Sequence, residues 1–273
     1  MSADMNMDHY DQIFTGFSDE QMPRYPDLAG KVVFITGGGS GIGAYFAAAF
    51  AMQGAKVSFV SLSEGPASNT CNLIEEKTGY RPLYTQCDIR DVDALKAAVA
   101  KTKEVFGSID ILINNAARDT RHTINDFTPD QWDNSINTNL RPQFFAAQAV
   151  AEDMMAKEAG VILNIGSNSA NLGLAGYPAY VSAKAAIVGF TKALARELGE
   201  KNIRVNVLVP GWVITERQQR LWVTDEALDE CLKEQALKRA MNGWDIAFPA
   251  LFLASNASAM LTGQEIIVDG GRV

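Results

Sequence analysis

Residues 31–44 read Lys31-Val-Val-Phe-Ile-Thr36-Gly-Gly-Gly-Ser-Gly41-Ile-Gly43-Ala44. An apolar, β-branched run breaks into glycines and then into an alanine-rich segment. That order predicts a buried strand, a sharp turn and a helix. Glycine lets the backbone turn and approach a ligand closely, and the helix N-terminus offers partial positive charge and N–H donors. Such a unit cradles a pyrophosphate, so the stretch predicts a dinucleotide-binding α/β domain. Gly37, Gly39, Ser40, Gly41, Ile42 and Gly43 are its candidate cofactor contacts.

The same alternation runs through most of the chain. Valine- and isoleucine-rich runs predict strands over 31–36, 56–61, 82–87, 109–114, 160–165, 204–209 and 265–268. Helices are expected over 41–53, 66–78, 91–106, 129–156, 177–199 and 244–254; Asp91 and Thr128-Pro129 supply good starts. The expected architecture is a Rossmann-like, doubly wound, parallel seven-stranded sheet in a single domain over 30–273. Residues 211–243 break the alternation and predict a short helical lid. Residues 1–29 form an acidic arm that either wraps the surface or a partner subunit, or is a disordered tail.

The chain has 273 residues, 47% of them hydrophobic, enough for one large core. Its net charge of −8 is uneven. Asp4, Asp8, Asp11, Asp19, Glu20 and Asp27 face only Arg24 in the arm, leaving the body close to neutral. No basic stripe exists to neutralise nucleic-acid phosphates. The start has no cationic segment followed by an apolar run, and no uninterrupted apolar run reaches the ~18 residues of a membrane span. Cys71, Cys87 and Cys231 are scattered, and two histidines, His9 and His122, do not make a zinc site. A cytoplasmic protein without a metal or a membrane partner is the expectation.

Downstream lies a possible proton device, Ser167 with Tyr180-Val-Ser-Ala-Lys184. Four residues on a helix place Tyr180 and Lys184 on one face. An ammonium beside a phenol lowers its pKa from about 10, so Tyr180 is expected to exchange a proton near neutral pH. Ser167 would hydrogen-bond the same substrate oxygen.

With the TGxxxGxG loop and this triplet in register, the chain resembles the short-chain dehydrogenases/reductases from about residue 29 to its end. The resemblance implies Asn139, Ser167, Tyr180 and Lys184 as the catalytic tetrad, with Asn139 holding a water that passes the proton outward. It implies that Asp88 and Ile89 meet the adenine, and that Asn115 and Ala116 border the cofactor. It also places Tyr180 and Lys184 against the cofactor, with Pro210, Gly211, Val213 and Thr215 at the nicotinamide end. Taken singly, Asp88 reads equally well as a strand-end cap, Asn139 as a structural amide and Thr215 as a helix cap. Where a carboxylate usually selects NAD over NADP, this chain has Ser61, with no Arg or Lys at 61–65; NAD, NADP or both would fit. A homotetramer packed through the long helices is also implied.

The loops beyond the strands are polar: Arg118 to His122, Asn168, Trp212, and Thr215 to Trp222. Amides, guanidinium groups and indoles suit a hydroxyl-rich ligand better than an acyl chain or a steroid. Arg121, Asn168, Trp212 and Gln218 are the candidate substrate contacts. The alternative is a solvated loop at 118–122 and an interfacial Trp222. The motifs resemble the sugar 1-dehydrogenase branch, which implies NAD(P)-dependent oxidation of an aldose at C1 to its lactone. Two other readings are a reductase of another carbonyl, such as a 3-oxoacyl thioester, and a non-catalytic NAD(P) sensor.

Overall fold

The computed structural model describes residues 13–273; Asp4, Asp8, His9 and Asp11 of the acidic arm lie outside the described residues. Strands β1 (Val32–Thr36), β2 (Lys56–Ser61), β3 (Leu83–Gln86), β4 (Ile111–Asn114), β5 (Gly160–Ile165), β6 (Ile203–Pro210) and β7 (Glu265–Val268) build one sheet. Its order is β3-β2-β1-β4-β5-β6-β7, and every neighbouring pair is parallel. Alternate residues of β1 serve opposite faces, as the pleat requires. Val33 and Ile35 join the core under helices α1 (Gly41–Met52), α2 (Glu64–Thr78) and α10 (Trp244–Ala254). Val32 and Phe34 join the core under α3 (Val92–Phe106), α5 (Arg141–Lys157) and α7 (Pro178–Leu198). Strand order reverses between β1 and β4, so a crevice opens above their carboxyl ends.

The single helix expected over 129–156 is two, α4 (Pro129–Asn139) and α5, broken at Leu140 with φ −125° and ψ −55°. Pro142 is the cause: it donates no hydrogen bond, and its ring opposes a helical carbonyl four residues back. A further short helix, α6 (Asn168–Leu172), follows β5, and the lid contains two, α8 (Glu216–Leu221) and α9 (Asp225–Glu234). Residues 13–28 lie on the body, with Ile13, Met22 and Leu28 buried in the first core. No helix among the described residues is long and apolar enough to cross a membrane.

Candidate active site

The crevice is a cleft of about 1080 Å³. That exceeds the ~300–1,000 Å³ typical of small-ligand pockets and leaves room for a dinucleotide and a second molecule. Gly37, at φ +71°, donates its N–H to the Val60 carbonyl and begins the turn at the end of β1. Asn115 braces it, its Nδ2 donating to the carbonyls of Thr36 and Gly37 at 3.1 Å each. A Cβ on Gly39 would meet Ser61 Oγ and Ala67 at 2.8 Å, and one on Gly43 would sit 1.9 Å from the Gly37 carbonyl oxygen. Only glycine allows this loop to fold against its own helix. Ser40 starts α1 without a side-chain cap bond. These features fit a dinucleotide.

Of the predicted cofactor residues, Gly37, Gly39, Ser40, Gly41, Ile42, Ser61, Asp88, Ile89, Asn115 and Ala116 line the cleft at the carboxyl ends of β1 to β4. Pro210, Gly211, Val213 and Thr215 line the far end. Gly43 does not line the cleft; its part is the close approach just described. Asp88 also caps its own turn, accepting from the Arg90 N–H at 3.0 Å, and its carboxylate is gripped by the Arg90 guanidinium. That contact holds the Asp88 carboxyl below its ordinary range. Thr215 caps α8 by accepting from the Gln218 N–H, so it serves as helix cap and cleft wall together.

Ser167, Tyr180 and Lys184 come together at the centre. Ser167 starts α6, shares a 2.8 Å bond with Ser169 Oγ and lies near enough to the Tyr180 hydroxyl to oppose the rise in its pKa. Helix α7 is tied to the sheet by a buried amide chain, in which Asn114 Nδ2 donates to Asn164 Oδ1 and Asn164 Nδ2 to Thr191 Oγ1, both at 2.9 Å. Lys184 is 1% exposed and donates to the Ile165 carbonyl at 2.7 Å.

The expected lowering of the Tyr180 pKa is corrected here. Burial raises the phenol, against a smaller opposing effect of the Ser167 hydroxyl, and burial alone brings Lys184 down to about 7. Desolvation disfavours both charges, and an ammonium that is itself desolvated offers little to the phenolate. The Tyr180 side chain is half-buried and faces the cleft.

Asn139 does not line the cleft. It is 1% exposed; its Oδ1 accepts from the Arg118 N–H at 2.7 Å and its Nδ2 donates to the carbonyls of Arg118 and Ser135. Its amide thus fixes the loop after β4 against α4, and the water-holding role gains no support from the side chain.

All four candidate substrate residues line the cleft. Asn168 is buried, its Nδ2 donating to Asp269 in the carboxy-terminal turn at 3.2 Å. Trp212 Nε1 donates to Gln218 Oε1 at 3.0 Å, and Gln218 Nε2 donates to Asp119 Oδ2 at 3.2 Å. Arg121 lies over the rings of Tyr177 and Trp222, 3.9 and 5.0 Å from their centroids. Arg118, Thr120 and Arg121 are exposed while Asp119 and His122 are partly buried, so the 118–122 loop is solvated on one side and anchored on the other, and Trp222 lines the cleft. Asp119, ion-paired to Arg217, was not singled out from the sequence. Its partner is 98 residues away, and nothing local marks the pairing.

A family model described as enoyl-(acyl carrier protein) reductase matches residues 37–272. The chain belongs to the short-chain dehydrogenase/reductase family. It is 45% identical to "Probable galactose dehydrogenase GalD" of Rhizobium meliloti, over 91% of this chain and 97% of that one. It is 43% identical to D-xylose 1-dehydrogenase of Caulobacter vibrioides, over 90% and 97%. A solved structure from Sinorhizobium meliloti, described as a short-chain alcohol dehydrogenase, superposes with a TM-score of 0.86 at 34% identity, covering 91% and 98%. The chain is accordingly a nicotinamide-dependent oxidoreductase of the dehydrogenase class, acting on a small molecule.

Proposed function

We propose that the enzyme oxidises the C1 hydroxyl of a cyclic aldose to the lactone. One observation carries this reading: Tyr180 and Ser167 lie in the same cleft as a wall of guanidinium, amide and indole groups, Arg121, Gln218, Trp212 and Trp222. The relatives named as galactose and xylose dehydrogenases support it. The polar wall disfavours a 3-oxoacyl chain, which would need apolar lining.

The glycine loop and the 210–215 segment would hold the nicotinamide cofactor, which would supply the hydride acceptor for C1. The chain's own work is on the proton and the geometry. Ser167 holds the C1 oxygen beside the Tyr180 hydroxyl. Tyr180 takes the hydroxyl proton in its ionised form, which burial makes the minor one at neutral pH, so turnover rises with pH as more of the phenol ionises. Lys184 holds the floor of the site through the Ile165 carbonyl and stands 5.6 Å from the Tyr180 ring centre, where burial of its own charge leaves it little leverage on the phenol. Loss of a positioned acid–base group costs about 10²–10⁴-fold in rate. Tyr180→Phe should therefore bind NAD normally, by fluorescence titration, while turnover of galactose or xylose collapses. Turnover near that of the wild type would remove Tyr180 from this role.

The cofactor pocket accepts both NAD and NADP in this reading, because Ser61 presents a neutral hydroxyl where a carboxylate would repel a 2′-phosphate. Ser61→Asp should raise the KM for NADP by about 10-fold or more relative to NAD, the ordinary size of a like-charge penalty at close range. An unchanged ratio of the two KM values would place the discrimination elsewhere.

A further inference from the structure

Helix α7 carries Tyr180 in its first turn, and that turn is poorly capped by its own sequence. The first N–H groups of a helix lack intrahelical partners. The N-cap residue is Tyr177, which makes no side-chain cap bond, and Pro178 follows it. The missing acceptor comes from another loop. Ala179 donates its N–H to Nε2 of His122 at 3.3 Å. A backbone N–H only donates, so Nε2 bears the lone pair. Nδ1 then carries the proton and donates to the Thr123 carbonyl at 2.9 Å. The ring is stacked on Phe127 at 3.6 Å and 12°, and the His122 N–H donates to the Gly176 carbonyl at 2.8 Å. Arg121 covers Tyr177 beside it. Successive residues of the β4–α4 loop thus grip the start of α7 at Gly176, Tyr177 and Ala179.

We propose that His122 is a positioning residue for Tyr180, serving as the imidazole cap of α7 that sets the tyrosine hydroxyl against Ser167. The bond falls on the residue immediately before Tyr180, and with His122 in place Ala179 is fully buried. His122 itself lines no part of the cleft and needs no contact with substrate. The inference rests on Tyr180 being the acid–base group.

The test compares His122→Phe, which keeps the stack on Phe127 but has no acceptor, with His122→Gln, whose amide oxygen reaches the position of Nε2. Steady-state kinetics with galactose or xylose and NAD give the readout. His122→Phe should lower kcat about 10-fold with the KM for NAD within about 2-fold, and His122→Gln should recover kcat to within about 2-fold, on the scale of a sub-ångström misplacement. Wild-type kcat in His122→Phe, or equal loss in His122→Gln and His122→Phe, overturns the proposal. If His122→Phe does not fold, His122→Asn takes its place, because the shorter amide stops short of Ala179. Tyr180→Phe is run alongside: its loss of turnover with an unaffected His122→Phe sinks only the cap, whereas an active Tyr180→Phe sinks the underlying assignment.

Discussion

Lys184 is buried with its ammonium aimed at a carbonyl and its pKa brought down to about 7, while an unfolded lysine titrates near its ordinary 10.5. Between those values the unfolded chain binds the extra proton, so stability rises with pH across the window. Below it both states are charged, and the cost of burying the ammonium is borne in full. Tyr180 has the opposite sign: its folded pKa lies above the ordinary 10, so its stabilisation is complete below pH 10 and is lost above it. The clean interval is therefore pH 7 to 10. Lys184→Met removes the titration and keeps the apolar stem. The wild type should gain stability over Lys184→Met by on the order of 1 kcal/mol per pH unit in that interval, read from urea midpoints. A constant difference between the two proteins would show that Lys184 stays charged. The triplet was plain in the sequence, but its charge state was not, because spacing on a helix says nothing about desolvation.

At the scale of elements, the seven strands were legible because both sheet faces are covered and the central strands are largely apolar runs, with the more polar β3 (Leu83-Tyr-Thr-Gln86) at the sheet edge. The break at Leu140 was also written there, in Arg141-Pro142, but the amphipathic pattern on either side masked it. The lid was legible only as a lapse in periodicity, and its tether was not legible at all. Asp119, 13% exposed at its side chain, holds α8 through Arg217 and Gln218, and Gln218 in turn holds Trp212. Asp119 is thus the side-chain tether of α8 to the opposite wall, while α9 is held separately by the Glu234–Arg272 ion pair. Arg217 is partly exposed, so the contact is screened and contributes about 1 kcal/mol at most. Asp119→Ala should raise the sugar KM up to about 5-fold with little change in kcat, the signature of lost uniform binding. An unaltered sugar KM would mean that α8 is placed by the backbone alone.

For the molecule as a whole, the arm poses the question of what its acidic sequence is for. Its isolated apolar residues, separated by polar ones, carry no period that a sequence reading can use. Yet Ile13 is 1% exposed, Trp244 Nε1 donates to its carbonyl at 2.8 Å, and Phe17 stacks on the same indole at 4.2 Å. Asp19 pairs with Lys77, and Asp27 accepts from the Asn256 N–H at 2.7 Å. The ion pair is exposed and contributes little. The apolar anchor dominates: removing a buried isoleucine side chain to alanine costs about 2–5 kcal/mol. Both anchors land on Trp244, the first residue of α10, so the arm extends the core beneath α1 and α10. Ile13→Ala should therefore lower the melting temperature by roughly 4 °C or more, at ~2–4 °C per kcal/mol for a chain of this size. Asp19→Asn should move it by less than about 1 °C, since an exposed pair is nearly neutral. If Ile13→Ala melts with the wild type, the arm is a passenger on the surface; if Asp19→Asn is the more damaging of the two, its charge and not its apolar residues secures it.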